Sequence, residues 1–327
     1  MIKQSGIIVT LLFCIGLSIY GQFEQMVIPA DLKQQTIVTE PSTLNKGFLR
    51  VGLNGSFQSF DRYFDLDGSR GYLLNSNTWR KSWTYYLSVE YGLTDRIQLA
   101  LSQPYLNGKT YISYNMIVGG LSKADTTISG RSKEQGFGDL SVSISYQILK
   151  EGDIWPSVTG SVSVTFPTGR KEMKDVVSSL EYNGPTGSGF YSLMYNLLVR
   201  KVFYPFSATI SADYLQTFKG KKDLMYGLGE VEFNMADNFA LTGGFYAHLN
   251  DWIVIGSQVS FTKPIGEIAF YYDPPSVAKP DSYILSYNPE IYFQIRRVRF
   301  YENTIIPLFG KDGSADPVYR IGLQYLF

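Results

Sequence analysis

The sequence has little thiol or imidazole chemistry to offer. Its 327 residues hold one cysteine, Cys14, and one histidine, His248. A disulfide needs two cysteines, and a zinc site draws on several His or Cys ligands, so neither a metal nor a cofactor is expected. Net charge is absent too. The 29 Lys and Arg balance the 29 Asp and Glu, leaving no basic field to gather nucleic acid and no acidic tail. Charged residues make up 18% of the chain, against about 25% in an average soluble protein. Past residue 22 no apolar run approaches the roughly 18 residues of a spanning helix. The Gly-rich stretch 184–189 lacks the strand–helix context of a phosphate loop.

What is present begins with the N-terminus. Lys3 precedes an apolar run from Ile7 to Tyr20, and Gly21-Gln22 follows as a plausible cut site. This reads as a secretory signal peptide over residues 1–21, too short to span a bilayer. Ile19 is not the ideal small residue before the cut, which leaves its position open. Cys14 lies inside this segment. A lipoprotein reading of it meets Phe13 where a small residue is wanted, and the plainer reading is one more apolar residue. An exported membrane protein without spanning helices can satisfy its backbone in lipid only as a closed barrel.

Aromatic residues reach 15%, with 25 Tyr and 21 Phe, which suits a lipid-facing surface with Tyr and Trp at its two boundaries. Alternation of period two dominates the mature chain. Leu140, Val142, Ile144, Tyr146 and Ile148 alternate with Ser141, Ser143, Ser145 and Gln147. Val158, Gly160, Val162, Val164 and Phe166 alternate with Ser157, Thr159, Ser161, Ser163 and Thr165. The polar positions are small and uncharged, as in a lumen. A soluble β-sandwich is the competing fold, but its outward face would carry more charge.

The expected fold is therefore all-β, a closed antiparallel up-and-down transmembrane β-barrel over residues 47–327. The strands read as 47–60, 81–92, 96–103, 137–149, 155–167, 188–200, 206–217, 223–235, 239–249, 252–262, 266–272, 283–294, 298–306 and 318–327, fourteen in all, with twelve as the alternative. Pro289 makes 283–306 the weakest part of this reading. Short turns at 92–96, 150–154, 201–205, 236–238 and 263–266 alternate with long polar loops at 61–80, 104–135, 168–187 and 307–317, as outer-membrane barrels require. Residues 111–118 alternate weakly and read as a hairpin extension above the membrane. The polar segment 22–46 is a leader or a short plug. The last strand, 318–327, ends on Phe327, and such an aromatic terminus is the expected signal for barrel-assembly machinery.

By alternation Arg50, Glu90, Arg200, Asp213, Glu230, Glu232, Glu267 and Arg320 point into the lumen. An Arg or Lys facing lipid at mid-depth would cost roughly 2–4 kcal/mol. Arg50 and Glu90 fall near the periplasmic ends of neighbouring strands, where they can pair across them. Such charges either set the selectivity of a pore or stiffen its wall. His248 also falls on the inward series, but no serine is uniquely marked as its partner, and one residue is not a catalytic constellation.

Three motifs stand out in residues 80–170. They are Tyr91-Gly92-Leu93-Thr94-Asp95-Arg96, Gly136-Phe137-Gly138-Asp139-Leu140 and Phe166-Pro167-Thr168-Gly169. Together they resemble the meta-pathway of phenol degradation family of outer-membrane barrels. The resemblance implies a transporter-like or channel-like barrel linked to small organic compounds, often aromatic. The same residues also read structurally. Gly136 and Gly138 permit unusual backbone at a loop-to-strand junction, and Asp95 and Asp139 can accept backbone N–H bonds. Pro167 ends a strand, and Thr168-Gly169 opens a loop.

The functional expectation is a porin-like bacterial outer-membrane channel or transporter for passive uptake of small solutes, aromatic or hydrophobic ones included, rather than an enzyme. Its partners would be outer-membrane lipid, the assembly machinery and an unidentified solute. A barrel hydrolase using His248, and a structural or adhesive barrel with binding loops, are the alternatives.

Overall fold

Alternating residues put polar side chains on one face of each strand and apolar ones on the other, and in this chain the strands close on themselves. The computed structural model describes residues 43–65, 67–72, 79–117, 125–172, 174–178, 181–223, 230–250, 252–271 and 276–327. The proposed signal peptide, Cys14 and leader residues 22–42 lie outside them. Among the described residues twelve strands form the wall. They are β1 (Leu49–Phe60), β2 (Trp79–Gly92), β3 (Ile97–Ile117), β4 (Leu140–Leu149), β5 (Ser157–Phe166) and β6 (Ser192–Phe203), then β7 (Phe206–Thr217), β8 (Asp237–His248), β9 (Ile253–Ile265), β10 (Tyr283–Ile295), β11 (Val298–Lys311) and β12 (Val318–Leu326). Each pairs antiparallel with the next, and β12 pairs back with β1 from Arg50↔Leu326 to Gln58↔Val318. Closure leaves no unpaired edge in the wall. The even count returns both ends to the side of the short turns, which is periplasmic in outer-membrane barrels.

The two faces separate cleanly. Between β4 and β5 the register places Ser141 opposite Thr165, Ser143 opposite Ser163 and Ser145 opposite Ser161, a ladder of small hydroxyls on the inner face. On the outer face Val142, Ile144, Tyr146 and Ile148 are exposed. The closing strand repeats this. Tyr319, Ile321, Leu323, Tyr325 and Phe327 are exposed, whereas Gly322 and Gln324 are buried. Aromatic side chains gather at both ends of the outer surface. Phe57, Trp83 and Tyr85 stack in a row on the loop side, with Phe57–Trp83 centroids 4.7 Å apart. Phe203, Phe206 and Phe245 cluster on the short-turn side, with Phe206–Phe245 at 5.4 Å. Two such girdles around an apolar band match the two faces of a bilayer. No helix of the described residues is long and apolar enough to cross a membrane, so any crossing is made by strands.

The wall has the alternative count of twelve because two expected strands do not enter it. The described parts of residues 223–235 and 266–272 contribute instead to a separate sheet of Gly220–Asp223, Glu230–Asn234, Ile268–Phe270 and Ser276–Ala278 in the long-loop connections. Their alternation serves local burial. Phe233 is 3% exposed and packs against Phe190 and Phe270. A period of two marks one covered face and does not say whether lipid or a neighbouring loop covers it. The segments 236–238 and 263–266 are thus not periplasmic turns.

Two prolines behave differently from the expectation. Pro104 does not end its strand, because β3 changes partner there. It pairs with β4 through Ser102↔Ser141 and then with Asp125–Phe137 from Tyr105↔Phe137 onward, so the missing N–H falls at a changeover. Residues 111–117 accordingly form the expected hairpin beyond the wall. At Pro289 the β10–β11 ladder skips from Tyr287↔Ile306 to Glu290↔Asn303, while β9 holds the other side through Ser257↔Pro289.

Candidate lumen site

The inner face is polar, and its charges are matched mostly across neighbouring strands. At the periplasmic end Arg50 and Glu90 are directly opposite in the β1–β2 register and form an ion pair. Gln98 Nε2 donates to Glu90 Oε2 at 2.6 Å, and Gln98 Oε1 accepts from Leu44 N at 2.8 Å. The segment just before β1 is thereby fixed to the inner wall. Lys46 N donates to Asp95 at 3.1 Å, so Asp95 fastens this incoming segment, while the local turn bonds from Arg96 N and Ile97 N go to Thr94 Oγ1. Further round, Asn196 Nδ2 donates to Asp213 Oδ1 at 2.7 Å across β6 and β7.

Arg200 lies near the periplasmic end of β6 with its side chain 5% exposed. Its Nη2 donates to Glu151 Oε2 at 2.6 Å. Glu151 sits in the β4–β5 turn, outside any alternating pattern, and the sequence reading missed it. His248 closes β8 on the inner face, 5% exposed, with Nε2 3.1 Å from Ser207 Oγ. Both residues line a lumen cavity of about 390 Å3 that is also lined by Tyr246 on β8 and by Glu290, Tyr301 and Arg320 on β10, β11 and β12.

The β10–β11 wall of this cavity was also missed. Glu290 accepts from Asn303 Nδ2 at 2.9 Å and from Tyr292 OH at 2.7 Å. Tyr301 OH donates to Asn54 Oδ1 at 2.9 Å. The signal was available in the series Ser286, Asn288, Glu290, Tyr292 and Gln294, which alternates with Leu285, Tyr287, Pro289, Ile291 and Phe293. The proline obscured it.

Of the eight expected lumen charges, Arg50, Glu90, Arg200, Asp213 and Arg320 stand on inner-face positions of the wall. Glu232 and Glu267 do not. Glu232 belongs to the small loop-side sheet, 3.7 Å from Lys219 Nζ. Glu267 is exposed in the connection after β9. Glu230 is in the same small sheet by its backbone, and its side chain lies outside the described residues. All three were assigned by parity within strands that are not part of the wall.

Residues of the second and third motifs form a clasp at the loop-side rim. Asp139 accepts from Gly169 N at 2.9 Å and from Ser188 N at 2.6 Å. Leu140 N donates to Thr168 Oγ1 at 2.9 Å, and Thr186 Oγ1 donates to Phe137 O at 2.6 Å. Gly169 and Gly187 touch so closely that a Cβ on Gly169 would stand 2.6 Å from Gly187 Cα. The motifs thus tie the β5–β6 loop to the start of β4.

Against solved structures, the chain is similar to an outer membrane channel from Pseudomonas putida F1, with a TM-score of 0.65 at 12% identity over 88% of this chain and 98% of that one. A mutant of the TodX monoaromatic hydrocarbon channel gives 0.47 at 8% identity over 90% and 92%. The CymD monoaromatic hydrocarbon channel gives 0.47 at 10% identity over 86% and 89%. The first likeness establishes the outer-membrane barrel fold and nothing finer. No family model and no curated protein matches the sequence.

Proposed function

We propose that the protein is a passive outer-membrane channel for small organic solutes. The observation that carries this reading is the cavity of about 390 Å3 inside a closed wall, lined mostly by polar side chains with Leu198, Val254 and Ile305 among them. A wall with an apolar outer band and a polar, partly empty interior is built to let solutes through, with selectivity set by lumen shape and charge. The motif resemblance to the meta-pathway of phenol degradation family supports organic, often aromatic, cargo. Export by the N-terminal segment and insertion through the Phe327 strand belong to the same reading.

The hydrolase alternative is weaker. His248 has a serine neighbour, but a nucleophile–base pair also needs an orienting acceptor behind the imidazole. Among the described residues the hydrogen-bond partner of His248 is Ser207, and no carboxylate bonds to the imidazole. The test is solute flux into proteoliposomes carrying the refolded mature chain. Entry of small neutral and charged organic solutes above protein-free vesicles is expected. Flux equal to that of empty vesicles, together with a lipase or protease activity lost in His248→Ala, would overturn the proposal.

A further inference from the structure

The outer face changes chemistry where the apolar band ends on the loop side. Tyr85 on β2 stands opposite Tyr105 on β3, and Tyr105 opposite Phe137 on the strand Asp125–Phe137. One outward row higher, Trp83 stands opposite Asn107 and Asn107 opposite Gln135. The row above that is Lys81, Lys109 and Lys133, each directly opposite the next. All three lysines are exposed. Ser59 on β1 flanks the row on one side and Asn183 on the other, so no carboxylate stands in it. Glu181, further along the strand of Asn183, is matched in register with Arg131.

Opposed residues on adjacent strands lie about 5 Å apart, and like charges so placed destabilise a sheet. Lys109 faces a lysine on both sides, so the row is relieved only by an anion from outside the chain. Its height says where that anion comes from. Between Tyr91, exposed at the short-turn end, and Lys81, β2 climbs about 25 Å at roughly 3.4 Å per residue and a tilt of about 40°. That equals the apolar band of an outer-membrane barrel, about 25 Å tall. The ammonium groups therefore stand at the level of the outer-leaflet headgroups, with the aromatic girdle directly beneath them.

We propose that this row is a binding site for the phosphates of an outer-leaflet glycolipid, with Lys81, Lys109 and Lys133 as the cations. Lysine meets phosphate as a point charge and needs no fixed fork geometry. Asn107 and Gln135, both exposed just below, supply amide donors for the rest of the headgroup. Gln135 Nε2 already donates to Tyr105 OH at 3.3 Å, and an amide has a second N–H to give. The acyl chains would run down over Tyr105 and Phe137. The site is independent of what passes through the lumen.

The refolded mature protein in neutral detergent is titrated with bisphosphorylated lipid A, with the same lipid after dephosphorylation, and with inorganic phosphate. Binding is read by native mass spectrometry and by the shift in melting temperature. Lipid A is expected to bind at least tenfold more tightly than its dephosphorylated form, and less tightly as salt is added. The preference should vanish in Lys81→Gln/Lys109→Gln/Lys133→Gln and persist in Lys150→Gln, which removes an exposed charge from the β4–β5 turn at the opposite end. Because the triple variant relieves repulsion, it should melt no lower than wild type without lipid. If it does not fold, Lys109→Gln alone decides, with a several-fold loss of preference expected. Equal binding of the two lipids, or a preference that survives these substitutions, overturns the site. An equal loss in Lys150→Gln overturns it too, since overall charge would then be the cause. Inorganic phosphate binding as tightly as lipid A would make the row a free-anion site and overturn the lipid assignment.

Discussion

Arg50 and Glu90 show how a single lumen residue acts. The pair is partly buried and shares Glu90 with Gln98, so removing the carboxylate leaves a guanidinium facing the bore without its counter-charge. Glu90→Gln is expected to move the reversal potential in a salt gradient towards anion preference. A reversal potential equal to wild type would mean that the pair only braces the wall. Asp139 is the structural counterpart. Its carboxylate holds two backbone N–H groups, and bonds to a charged group contribute about 1.5–3 kcal/mol each. Asp139→Ala should cost about 3 kcal/mol in urea unfolding and expose the β5–β6 loop to protease, and a loop that stays protected would contradict the clasp. Residues of this kind were partly legible. Arg50 and Glu90 followed from parity. Glu151 did not, because a turn residue obeys no period, and the acceptors of Asp95 and Asp139 were legible as a type but not in their partners.

Strands were legible wherever one face meets lipid, because that face must be continuously apolar. The errors came where another cover exists. Phe233 and Phe270 are covered by each other and by Phe190, and their alternation imitated wall strands. Glu302 is the opposite exception. It stands opposite Ile291 and Ile321, which share the outer face, and it is exposed there. A carboxylate in the apolar band costs less than the roughly 2–4 kcal/mol of a lysine or arginine, but it still costs. Glu302→Leu is therefore expected to raise unfolding stability in lipid by about 1 kcal/mol, with a loss of stability as the contrary result. Beyond the wall, burial pushes Lys222 below the ordinary lysine range, partly offset by Glu134 and Asp139. The folded state then disfavours the charged form, so the unfolded chain binds more protons as pH approaches 10.5 from below. Melting temperature should rise with pH across that window, and the slope should shrink in Lys222→Met. An unchanged slope would mean that Lys222 does not report its burial.

At the scale of the whole molecule, the misread strand count reversed the direction of β8 and β9, which lie between the two false strands, but not the side on which the wall begins and ends. Removing the two false strands together keeps the number even and leaves both ends of the wall on the short-turn side. The interior was less legible than the shell. Alternation says which residues face inward, but the shape of the space between them depends on pairings such as Tyr301 with Asn54 and Arg200 with Glu151, which join residues far apart in sequence. The central claim is that this space is a path. Single-channel recording of the refolded mature protein in planar bilayers tests it most directly. Discrete conductance steps that depend on salt concentration are expected from the full mature chain, or on removal of residues 22–42 if that segment plugs the bore. A correctly folded barrel that conducts in neither form would contradict the account and favour a closed structural or adhesive barrel.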